Sequence, residues 1–85
     1  MVNIDEVVME FHNKLMKEKN INKESCLEME IRPRNGITSE TIVTLLLDIE
    51  DSLDIELDDY LVDIRKCKTI GLLIDIVKAA YAKQH

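Results

Sequence analysis

The sequence predicts an all-α fold: a four-helix bundle with a long loop between helices 1 and 2 and a short third helix, in one domain spanning residues 1–85. Three observations carry this. Apolar residues recur every three or four positions in separate stretches, which places them on one face of a helix. Asparagine, threonine or serine stands just before those stretches, where a side-chain oxygen can accept from a free helical N–H. And 85 residues with 46% apolar and 33% charged side chains suffice for one core and leave no room for a second.

The elements follow in order. Residues 3–19 read as the first helix, with Ile4, Val8, Phe11 and Leu15 in register and Val7 widening the stripe. Asn3 is its cap, Asp5 and Glu6 sit at its positive end, and the polar run KEKNINKE closes it. Residues 20–37 form a long connection containing Pro33 and Gly36. Connections of this length are uncommon in small domains and often functional. Leu27, Met29 and Ile31 alternate within it and are expected to tuck beneath the bundle rather than to build a strand.

The second helix begins near Ser39, capped by Thr38 or Ser39. Ile42, Leu45, Leu46, Ile49 and Leu53 form its inner stripe. A short third helix is expected around Asp58–Asp63. Thr69 caps the last helix, in which Ile70, Leu73, Ile74, Val77 and Tyr81 face inward; Gly71 in its first turn costs little. With only Phe11, Tyr60 and Tyr81 as aromatic residues, the core must be aliphatic.

Charge narrows the function. The chain carries a net −6, and from Asn35 to Ile64 it has nine carboxylates and no lysine or arginine. A helix oily on one face and acidic on the other repels nucleic acid and anionic membranes, and suits basic patches on other proteins. Glu40, Asp48, Glu50 and Asp51 are the leading docking residues; a merely solvated face is the alternative. No apolar run reaches the roughly 20 residues that cross a bilayer. The acidic start MVNIDEVVME is not a signal peptide, so a cytoplasmic protein is expected. Cys26 and Cys67 are isolated and expected to be reduced. No calcium-loop pattern surrounds the aspartates, and neither His12 nor His85 has a Cys or His nearby in sequence, so no metal site is expected. No Ser/His/Asp grouping is visible, so no catalytic residue is assigned and the chain is not expected to be an enzyme.

Gly36-Ile37-Thr38-Ser39-Glu40 with the acidic helix behind it, then Asp54-Ile55-Glu56-Leu57-Asp58-Asp59, then Thr69-Ile70-Gly71-Leu72-Leu73, resemble the acyl carrier protein family, including peptidyl carrier domains. Order and spacing match over nearly the whole chain, apart from about two extra residues before Thr69. The resemblance implies a carrier: a phosphopantetheinyl transferase attaches 4′-phosphopantetheine from coenzyme A to the serine that opens helix 2, here Ser39. The arm's thiol then holds an acyl, aminoacyl or peptidyl group as a thioester. It also implies a monomer that visits acyl-activating and acyl-transferring enzymes with basic patches, without nucleic acid or membrane.

Two residues depart from the family pattern. Thr38 replaces the aspartate of G-x-D-S-L and Glu40 replaces its leucine. These departures point to a specialised biosynthetic pathway, secondary metabolism or peptide maturation, rather than bulk fatty acid biosynthesis. They also keep open an alternative, a carrier-related protein that is never modified and acts as an acidic docking module. Asp51-Ser52-Leu53-Asp54 is a literal D-S-L-D, so Ser52 is the runner-up attachment site. Ser39 lies 31 residues before Ile70, close to the family spacing, and Ser52 only 18.

Overall fold

Asn3 opens the first helix, its side chain accepting from the Glu6 N–H at 3.2 Å. The computed structural model describes residues 2–85, and among these the α-helices are α1 (Ile4–Glu18), α2 (Ser39–Leu53), α3 (Leu61–Lys66) and α4 (Ile70–Gln84). Single 3₁₀ turns lie at Pro33–Asn35 and Asp58–Tyr60. The chain is all-helical, as its periodicity predicts. The third helix differs in detail: Asp58–Tyr60 is a 3₁₀ turn, and the α-helix continues to Lys66.

The three long helices have 15 residues each, and α1 packs on both α2 and α4 while α3 packs on α4. Leu45, Leu46, Ile49 and Leu53 of α2 meet Ile70, Leu73, Ile74 and Val77 of α4 in one aliphatic core that also takes Val8 and Leu15 of α1. Each such side chain contributes about 1.5–3 kcal/mol by leaving water. Ile37, Ile55, Leu57 and Ile64 extend this core under the connections. Ile42 and Tyr81 are only half-buried, and Ala80, whose small side chain gave no strong signal, is fully buried. No helix among the described residues is long and apolar enough to cross a membrane.

The path of the long connection departs from expectation. Met29 and Ile31 pack against the core, but the Leu27 side chain is 44% exposed. The backbone of this stretch is used instead. The Met29 carbonyl accepts from the Ile70 N–H at 2.9 Å, the Leu27 carbonyl from the Gly71 N–H at 2.9 Å, and the Ile31 N–H donates to the Lys68 carbonyl at 2.9 Å. Two of the donors that any helix start leaves unpaired are thereby satisfied by the loop, and Thr69 Oγ1 accepts a third, from Leu72. Gly71 permits the approach, since a β-carbon there would lie 3.0 Å from the Leu27 carbonyl oxygen.

At the other end, α4 clips the segment that follows α2. The Gln84 amide accepts from the Glu56 N–H and donates to the Glu56 carbonyl, both at 2.7 Å. His85 Nε2 reaches the carbonyls of Leu53 and Asp54 at 3.1 and 2.9 Å, with the Tyr81 ring stacked on its imidazole. An imidazole N–H thus meets the unpaired carbonyls at the end of α2.

Gly36 turns the chain into α2 at φ +84°, a region that costs other L-residues about 1–2 kcal/mol, and a β-carbon there would lie 3.3 Å from Met16 Cγ. Gly36→Ala is therefore expected to lower the unfolding free energy by about 1–2 kcal/mol with an unchanged denaturant slope, measured by urea titration.

Candidate functional site

The start of α2 is built by two threonines. After the 3₁₀ turn, Ile37 is buried and anchors the chain, so that Thr38 enters extended as the helix cap. Its hydroxyl accepts from the Thr41 N–H at 3.2 Å, and its own N–H donates to Thr41 Oγ1 at 2.6 Å. The Thr41 hydroxyl in turn donates to the Gly36 carbonyl at 2.8 Å. This reciprocal arrangement ties down both ends of the first turn.

Ser39 is the first helical residue. It is exposed, and its hydroxyl takes no part in this network. Its N–H and that of Glu40 belong to the set that helix geometry leaves unpaired, so the hydroxyl stands where the helix dipole is positive. Thr38, not Ser39, is the cap. Beside Ser39 runs a groove of about 800 Å³, walled on one side by Ile42, Val43, Leu46 and Leu47 of α2 and on the other by Leu61 and Ile64 of α3.

Ser52 is also exposed, but it is the next-to-last residue of α2, at the negative end of the dipole, and it does not border the groove.

The four predicted docking carboxylates do not form one surface. Glu40 and Asp51 are exposed, three turns apart on one face. Asp48 is half-buried in a small cleft toward α1, beside Phe11, Lys14 and Glu18. Glu50 is half-buried as well, and its carboxylate accepts the Leu57 N–H at 2.7 Å, which makes it part of the turn after α2. Nor is the outer face of α2 purely acidic. Val43 and Leu47, between Glu40 and Asp51, are 54% and 59% exposed, and Leu61 across the groove is 41% exposed. Hydrophobic periodicity finds the stripe that goes inside; it has no signal for apolar residues left outside.

Cys67 lines the groove from the end of α3 as a free thiol. Burial, then the nearby Asp63 and Asp75 carboxylates, push its pKa up, which keeps it protonated and weakly nucleophilic. Cys26 is free and exposed. The histidines lie elsewhere: His85 on the end of α2, and His12 inside the bundle, 2.7 Å from the Ser25 hydroxyl. A hydroxyl beside an imidazole has the form of a nucleophile and its base, but Ser25 borders neither the groove beside Ser39 nor the cleft beside Asp48. Among the described residues no three Asp, Glu, His or Cys side chains gather as a metal site would need.

No family model, curated protein or solved structure matches this chain.

The geometry separates the roles of adjacent hydroxyls. Thr38→Ala removes the cap and is expected to cost about 1 kcal/mol, whereas Ser39→Ala is expected to stay within about 0.5 kcal/mol of the parent, compared by thermal and urea unfolding.

Proposed function

We propose that this protein is an acyl, aminoacyl or peptidyl carrier, holding its cargo as a thioester on 4′-phosphopantetheine attached at Ser39 and presenting it to separate enzymes. The observation that carries this reading is an uncommitted, exposed serine hydroxyl at the first position of a 15-residue acidic helix, bordering a mainly apolar groove. Its surroundings are all-helical among the described residues, which is compatible with a helical bundle.

The residues fit the group. A phosphodiester on Ser39 Oγ would meet the free N–H groups of Ser39 and Glu40 and the positive end of α2, where negative charge is favoured. Bound there, the arm supplies a thiol that forms the thioester. The chain's own part is to keep the hydroxyl accessible and to offer Val43, Leu46 and Leu61 as an apolar wall alongside. Ser52, at the opposite end of the dipole, would place the same charge against unpaired carbonyls.

Partner enzymes would dock across the outer face of α2. Glu40 and Asp51 would steer basic patches toward it, mostly through association rate, while Val43 and Leu47 give the dry contact. The cytosol is the compartment this reading implies. Thr38 caps α2 and stands where the carrier pattern has an aspartate, without its charge, which favours a specialised pathway. It also sustains the second reading, an unmodified docking module that uses the same face.

Intact-mass measurement after incubation with coenzyme A and a broad-specificity phosphopantetheinyl transferase separates these readings. The expected result is one added phosphopantetheine in the parent and in Ser52→Ala, and none in Ser39→Ala. Loss in Ser52→Ala alone moves the site, and no addition to any chain leaves the docking module.

A further inference from the structure

His12 occupies a place in α1 where periodicity calls for an aliphatic side chain. It lies one turn from Val8 and from Met16, and it is fully buried. Both ring nitrogens face the long connection. Nε2 lies 2.8 Å from the Asn35 carbonyl, and Nδ1 lies 2.7 Å from Ser25 Oγ. A carbonyl only accepts, so Nε2 carries the proton of the neutral ring, and Nδ1 accepts from the Ser25 hydroxyl.

Other bonds converge on the same two loop residues. The Ser25 N–H donates to Asn13 Oδ1 at 2.6 Å. Asn35, itself buried, donates through Nδ2 to the Glu30 carbonyl at 2.7 Å and accepts from Lys23 Nζ at 3.0 Å. Residues 22–24 and 26–28 between them are exposed.

We infer that His12 is a proton-operated latch: the neutral imidazole holds residues 22–26 and 34–36 on α1, and protonation in mildly acidic solution releases them while the helices stay packed and Ile21 keeps its bond to the Met16 carbonyl. Protonation turns Nδ1 into a donor, so the bond to Ser25 must reverse, with the hydroxyl accepting and its own proton losing its acceptor, and the ring becomes a cation cut off from water. No carboxylate faces that charge, and the Asn35 carbonyl alone offsets it in part. Asn13 on α1 and Ser25 and Asn35 on the connection are neutral, and Lys23 adds a second cation to the network. The Glu30 carboxylate is taken by Arg32 at 2.8 Å and Arg34 at 3.1 Å. Burial accordingly lowers the pKa of His12, opposed only by its bond to the Asn35 carbonyl, with no side-chain charge from any element taking part. Residues 27–31 are expected to stay, because α4 holds them through the carbonyls of Leu27 and Met29.

The opened loop therefore binds a proton more readily than the closed one. Opening becomes more favourable as pH falls below about 6.5, by up to about tenfold per pH unit, and levels off once the closed state also protonates.

Amide exchange followed by NMR at about pH 7.5 and about pH 5, corrected for intrinsic rates, tests this without reference to any carrier activity. The expected result is at least about a tenfold loss of protection at the Ser25 and Gly36 amides in acid, with Ile31, Ile70 and the α2 core unchanged. His12→Gln offers the same donor and acceptor without titrating, and is expected to abolish the pH dependence. A ¹⁵N titration of the imidazole in the unsubstituted chain gives an independent reading, expected to show the Nε2–H form and a pKa below 6.5. An imidazole that protonates at or above 6.5, unchanged loop protection in acid, or the same acid response in His12→Gln would overturn the inference.

Discussion

The unpaired N–H groups at the helix starts set the course of everything between the helices. Each of the three long helices solves the same problem with different material. At α1 a single asparagine suffices. At α4 a threonine is joined by the Leu27 and Met29 carbonyls, which draws the long connection across the helix start and fixes its middle. At α2 two threonines satisfy each other and the Gly36 carbonyl, and the serine beside them is left over. That leftover hydroxyl is the reason to look for function there. A group spent on capping is unavailable for other chemistry; this one is unspent.

The connection from α1 to α2 is held from two sides. Its middle is tied to α4 by backbone hydrogen bonds, and its flanks to α1 by His12, Ser25 and Asn35. A segment held through polar bonds with little apolar burial opens more readily than a packed helix. The chain also reserves polar anchoring for the segment that follows α2, where Glu50, Gln84 and His85 meet backbone groups of residues 53–57. Acidic residues are thus divided between two tasks. Glu50 is used internally, and Glu40 and Asp51 remain for the surface.

Much of the architecture was legible beforehand. The three long helices, the caps at Asn3 and Thr69, a capping hydroxyl at Thr38 or Ser39, and the stripes Leu45–Leu53 and Ile70–Val77 follow from period and capping chemistry, which are local properties of the chain. The third helix lies a few residues later than the sequence suggests because Asp58–Tyr60 makes a 3₁₀ turn, and so short an element leaves little period to read. His12 could be seen only as a polar residue on a mainly apolar face; its partners stand 13 and 23 residues away. One signal was available: it falls midway between Val8 and Met16 on the buried side of α1.

The amino-acid sequence by itself determined the helical class, the aliphatic core, the acidic middle of the chain and Ser39 as a residue at a helix start, because each rests on spacing or composition over a few turns. Only the tertiary structure decided which hydroxyl caps α2, that Val43 and Leu47 stay outside while Glu50 turns to a backbone N–H, and that an apolar groove opens beside Ser39. Those outcomes depend on where α3 and the long connection come to rest against α2, and such placements arise from contacts between segments distant in the chain.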